Sequence, residues 1–168
     1  VELDEECIEL FLEKGAWLMP TFKVNLDWTD YYSDEELLRR KGIFDIEGES
    51  LQKKEYNRIL DTFRKAYESG VSIALASDTY CNETTPFGEY TLDEIRTFVN
   101  EAGVDTLETL LAATRYSAEA LGIADKVGTL ENGKAADMIV LSKDISKDIN
   151  LLRKENMEIV IKDGKVIT

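Results

Sequence analysis

Gly70-Val71-Ser72-Ile73-Ala74-Leu75-Ala76-Ser77-Asp78-Thr79-Tyr80 is the stretch whose reading decides the fold. A glycine opens it, an apolar run with β-branched members follows, and a carboxylate closes the run. A short apolar run of this kind predicts a strand buried on both faces, as in parallel sheets with helices packed outside. Asp78 then stands where the strand emerges at its C-terminal end. That is the end at which α/β barrels and open α/β sheets place their chemistry. Asp78 also reads as a plain turn residue that accepts backbone N–H groups, and its position alone leaves both readings open.

Outward from this strand, the N-terminal side alternates helix and strand signals. Asp4 to Lys14 reads as a helix with acidic residues at its positive end, stopped by Gly15. Ala16 to Phe22 reads as a second buried strand, ending at Pro20 because proline is excluded from a central ladder. Lys23 to Tyr32 is a polar and aromatic loop, and Ser33-Asp34-Glu35-Glu36 is a capping box opening a short helix from Asp34 to Arg40. A long amphipathic helix is expected from about Ser50 to Glu68, its inner side carrying Leu51, Tyr56, Ile59, Leu60, Phe63 and Tyr67.

Beyond Asp78, Thr91-Leu92-Asp93-Glu94 reads as a second capping box starting a helix to Glu101. Asp105 or Thr106 begins another helix running to about Ala113, and Ser117 to Leu121 forms a third that stops at Gly122. The alternation predicts parallel strands joined by right-handed crossovers. From about Asp125 the pattern changes. Glu131-Asn132-Gly133-Lys134 signals a tight turn, and Asp137–Leu141, Glu158–Lys162 and Lys165–Thr168 read as strands. Asp163-Gly164 between the last two favours a type I′ hairpin turn.

Composition narrows the function classes. The chain has 168 residues, 43% of them hydrophobic, which is enough for a folded domain with a core. A net charge of −14 opposes binding to nucleic acid or to an anionic membrane surface. No apolar run approaches the roughly 20 residues that span a bilayer. Cys7 and Cys81 lack metal-type spacing and read as free thiols of a reducing compartment, which points to the cytoplasm. There is no histidine, so the commonest metal ligand and the commonest neutral-pH general base are both missing.

The strand count exposes a deficit. Two parallel strands covered by helices do not close a sheet, and a lone hairpin is marginal. Both halves lack neighbours, and the chain is expected to be the C-terminal part of something larger.

The segment Thr109-Leu110-Leu111-Ala112-Ala113-Thr114-Arg115-Tyr116-Ser117-Ala118-Glu119-Ala120-Leu121-Gly122 resembles the end of the barrel in metal-dependent amidohydrolases. Lys126-Val127-Gly128-Thr129-Leu130-Glu131-Asn132-Gly133-Lys134-Ala135-Ala136-Asp137-Met138-Ile139-Val140-Leu141 is similar to that family's return into its small β-sandwich. The closing Val160-Ile161-Lys162-Asp163-Gly164-Lys165-Val166-Ile167 fits as well, and Gly15 to Phe22 is similar to the seventh barrel strand of the imidazolonepropionase-like and Xaa-Pro dipeptidase-like branch.

This resemblance implies an α/β fold. Residues 1–124 would be the last strands and helices of a partial TIM-type (β/α) barrel, and residues 125–168 a small β-unit of the family's composite β-sandwich. It implies that Asp78 matches the aspartate ending the eighth strand, a metal ligand that takes a proton from metal-bound water. Thr79, Tyr80 and Thr21, at strand ends, would line the substrate pocket of a complete enzyme. Plain packing or turn formation explains each of them as well. Asp137 is expected to be a structural hydrogen-bonding residue, and Gly122, Gly128 and Gly133 to serve turns.

The complete enzyme would use a divalent metal, zinc by expectation, to hydrolyse an amide-type C–N bond in a cyclic amide or dipeptide. The family's histidine ligands and its lysine come from earlier strands and do not occur in this chain. One carboxylate falls short of the three protein ligands of a catalytic zinc site. The chain by itself is therefore expected to bind no metal and to be inactive, with the N-terminal part of the barrel as its missing partner. Exposed strand edges predict self-association. A non-catalytic α/β binding or assembly module that keeps the scaffold is the alternative, and a split enzyme completed in trans is a third reading.

Overall fold

The computed structural model describes residues 3–22, 51–78 and 88–167. Asp4 caps the first helix, α1 (Glu5–Lys14), by accepting the Cys7 N–H at 2.8 Å, and Gly15 ends it in the left-handed region at φ 58°. The chain then enters β1 (Trp17–Leu18). The helix expected at Asp34–Arg40 lies outside the described residues. The long amphipathic helix, α2 (Leu51–Glu68), buries Tyr56, Leu60 and Phe63, and Ile59 and Tyr67 pack against the same core. Through Gly70 it leads into β2 (Ser72–Ile73).

β1 and β2 pair in parallel, with Trp17 opposite Ser72 and Leu18 opposite Ile73. The ladder is shorter than the apolar runs suggest, for a reason that lies in Pro20. The Ala74 N–H donates to the Leu18 carbonyl at 3.1 Å. The next rung of a parallel ladder would run from residue 20 to the Ala74 carbonyl, and proline has no N–H to give. The expectation of a strand buried on both faces also needs correction. Val71, Ile73, Ala74 and Leu75 are buried, while Ser72 is exposed.

Two expectations about the next helices are corrected as well. The third helix, α3 (Glu89–Asn100), begins before the proposed capping box. Gly88 takes the N-cap position at φ 83°, which leaves Thr91 inside the helix. The two short helices expected at 105–113 and 117–121 are one continuous helical run. Asp105 caps α4 (Thr106–Leu111), a π-helical turn spans Ala112–Tyr116, and α5 (Ser117–Ala120) follows with helical backbone at each junction. The π turn adds a residue to the helix without ending it.

The remaining strands form an antiparallel sheet ordered β3 (Met138–Leu141), β4 (Met157–Lys162) and β5 (Lys165–Val166). Asp163 and Gly164 both have positive φ, 50° and 73°, as a type I′ turn requires. Asp137 holds this hairpin: its carboxylate accepts the Asp163 N–H at 2.8 Å and the Lys162 ammonium. Its expected structural role is thus visible.

The core centres on Phe22, Phe63 and Phe98, whose ring centroids lie 5.2 to 5.5 Å apart in edge-to-face arrangements. Ile149 and Leu152, from the segment between β3 and β4, are buried in the same cluster. Arg96 reinforces that seam by donating to the Leu152 carbonyl at 2.7 Å.

Candidate functional site

Asp78 closes the segment that follows β2, and it is exposed. Its backbone is left-handed, φ 45°, a conformation that aspartate tolerates better than most residues. The preceding Ser77 hydroxyl lies 3.2 Å from the Thr91 hydroxyl, which ties the end of this segment to the first turns of α3. Thr91, read from sequence as a helix cap, therefore serves the strand end instead. Thr21 follows the C-terminal end of β1 and is half-buried. Because β1 and β2 are parallel neighbours, Thr21 and Asp78 leave the sheet in the same direction. Thr79 and Tyr80 lie outside the described residues, as do Trp28, Tyr31, Tyr32 and Cys81.

Among the described residues no group of three or more Cys, Asp or Glu side chains is placed to hold a metal ion. Asp78 alone does not meet the needs of a catalytic zinc. Among the described residues no helix is long and apolar enough to cross a membrane.

The start of the sheet holds a feature that the sequence reading missed. A cavity of about 390 Å³ opens there, with Trp17, Tyr67 and Tyr116 in its walls and Glu108 and Glu119 facing it. The Trp17 and Tyr116 ring centroids are 6.1 Å apart, and the Tyr116 hydroxyl donates to Glu108 Oε2 at 3.4 Å. Desolvation and then the Glu108 charge push the Tyr116 hydroxyl above its ordinary pKa. The Tyr67 hydroxyl is raised likewise, by desolvation and then by Glu108 and Asp105. A signal was present: Glu108, Ala112, Tyr116 and Glu119 recur at helical spacing and make one stripe of the 106–120 run.

Residues 3–167 match the profile of the Amidohydrolase family. The chain belongs to the amidohydrolase family. It is 37% identical over 89 residues to an imidazolonepropionase of Desulfotalea psychrophila, covering 53% of this chain and 20% of that protein. It is 35% identical over 106 residues to one of Geobacillus kaustophilus, covering 62% of this chain and 24% of the relative. Among solved structures it is similar to a Xaa-Pro dipeptidase with bound methionine in the active site, at 32% identity and a TM-score of 0.69 over 97% of this chain. It is also similar to an ochratoxinase of A. niger, at 28% identity and a TM-score of 0.73 over 97% of this chain. These likenesses put it in the imidazolonepropionase and Xaa-Pro dipeptidase branch, with an α/β fold. The chain spans 37% and 34% of those two solved chains, and about a fifth to a quarter of the curated relatives.

Proposed function

We propose that these residues are the C-terminal portion of a hydrolase acting on an amide-type C–N bond, in a cyclic amide or a dipeptide. The observation that carries the reading is the placement of Asp78 after the second of two parallel strands, in a chain without a single histidine. Residues 1–124 then correspond to the last part of a (β/α) barrel, and residues 125–168 to part of a small β-sandwich. Asp78 would contribute one carboxylate to a divalent-metal site, zinc by preference, with the other ligands on polypeptide preceding these residues. Thr21, Thr79 and Tyr80 would border the substrate. By itself the 168-residue chain binds no metal tightly and turns over no amide.

The apolar face of the β-unit supports this reading. Residues alternate across a sheet, so Met138, Val140, Ile159, Ile161 and Val166 share one face by their register. Val140, Ile159 and Val166 remain exposed there. A surface of this kind needs a cover, either the missing sandwich strands or a second copy of the chain. The free thiol of Cys7 is in keeping with a cytoplasmic protein.

The test is a hydrolase assay of the purified chain with zinc, using Xaa-Pro dipeptides and imidazolonepropionate. The same assay is then repeated with a separately produced N-terminal barrel portion that carries the histidines. No turnover alone and turnover on mixing is expected. Turnover by the chain alone would overturn the proposal. No turnover on mixing, with a folded complex formed, would favour the alternative of a non-catalytic binding or assembly module.

A further inference from the structure

We infer that the cavity at the start of the sheet is a binding site for a small organic cation, an alkylated ammonium with apolar substituents on its nitrogen. The site is separate from the end of β2 that carries Asp78: the cavity meets that strand at Val71, Ser72 and Ile73. Its volume of about 390 Å³ falls within the range of roughly 300–1,000 Å³ usual for small-molecule pockets.

Its lining selects the ligand by exclusion. The floor is apolar, with Ile73, Phe98 and Ala112 all buried. Trp17 and Tyr116, 6.1 Å apart between ring centroids with 40° between their planes, line it together with Tyr67 as a third aromatic residue. The charged lining residues are Glu108 and Glu119, without a lysine or arginine among them. Glu119 is matched by Arg115, whose Nε lies 2.8 Å from its carboxylate. Glu108 has no such cation among the described residues, only the 3.4 Å contact from the Tyr116 hydroxyl.

An anion would be repelled by this lining. A neutral apolar molecule would strip water from Glu108 and return nothing. A compact inorganic cation would gain the carboxylate but leave the apolar floor bare. An alkylated ammonium satisfies all three elements, because its charge is drawn to the carboxylate and the aromatic rings while its alkyl groups cover the floor.

The experiment is isothermal titration of the 168-residue chain with choline, and with 3,3-dimethyl-1-butanol, its neutral carbon isostere, at constant ionic strength. Choline is expected to bind saturably at one site, and the isostere at least tenfold more weakly. Glu108→Gln is expected to weaken choline at least tenfold with an unchanged circular dichroism spectrum. Trp17→Phe should retain binding that Trp17→Leu loses. Absence of saturation by millimolar choline, or equal affinity for the isostere, would overturn the inference. So would full affinity in Glu108→Gln. The comparison of the two ligands on the unaltered chain decides the matter even where a variant fails to fold.

Discussion

The Leu75 N–H donates to the Ala112 carbonyl at 3.1 Å, so the segment just after β2 is met on one side by a helix. Successive residues of a strand send their backbone groups to opposite edges. Ala74 bonds back to Leu18 in β1, and Leu75 therefore points away from it. The carbonyl that receives Leu75 lies at the first residue of the π-helical turn, where the normal helix ladder is interrupted. The Ser117 hydroxyl, 2.6 Å from the Ala112 carbonyl and 3.2 Å from that of Leu75, bridges the same junction.

Removal of that bridge tests the junction. Ser117→Ala is expected to cost about 1 kcal/mol, the usual net value of one hydrogen bond, and to speed hydrogen exchange at the Leu75 amide. Urea unfolding and amide exchange measure the two effects. Unaltered exchange at Leu75 would mean that the backbone bond alone holds the edge.

Gly128 is a position where both space and backbone conformation require glycine. Its φ is 95°, and a Cβ there would sit 2.7 Å from the Ala118 Cβ and 3.2 Å from the Arg115 Cα. Gly133 has a similar φ of 92° with nothing within 4 Å of the added atom. Gly133→Ala should therefore show backbone strain alone, about 1–2 kcal/mol. Gly128→Ala adds overpacking against the 106–120 helical run, about 1–3 kcal/mol more. Thermal melts of the two variants separate these contributions. Equal melting temperatures would show that the helix moves aside without cost.

How far the sequence carried the fold depends on which forces act locally. Asp4, Gly15, the Asp163-Gly164 hairpin and the pairing of two parallel strands were legible, because capping, left-handed turns and apolar runs are short-range signals. Thr91 misled because Gly88, three residues earlier, takes the N-cap position at positive φ, a choice that competes with a capping box and leaves no side-chain trace. The break expected between residues 113 and 117 did not occur because a π turn carries the helix through. Asp78 could be placed at a strand end from its run of neighbours. The cavity could not, since Trp17, Tyr67 and Tyr116 meet only through tertiary packing.

Asp137 gives a pH prediction with a definite sign. The Asp163 N–H and then the Lys162 ammonium hold its carboxyl below the ordinary value of 3.8. A group with a depressed native pKa stabilises the fold fully above its unfolded value and loses that contribution as pH falls through the native one. Asp137→Asn should thus be less stable than the parent at neutral pH, with the gap closing below about pH 4. Denaturation of both proteins from pH 7 to pH 2 measures it. A gap independent of pH would assign the loss to hydrogen-bond geometry alone.

The face bearing Val140 and Ile159 sets the last expectation. These two residues stand opposite each other in β3 and β4, 39% and 37% exposed, and Val166 on the neighbouring strand is 68% exposed. Contiguous apolar surface on a sheet is a site of association, and a second copy offers the same face to it. The purified 19.0 kDa chain should therefore sediment above its monomer mass, increasingly so at higher concentration. Val140→Lys and Ile159→Lys should each shift it toward monomer, because a lysine ammonium buried between two sheets loses its hydration without gaining a partner. The opposite net charges of chain and substituent sharpen the test. With a net charge of −14, each lysine lowers the general repulsion between copies, so dissociation on substitution could come only from the apolar face itself. A monomer at every concentration, in parent and variants alike, would leave that face without a homotypic role.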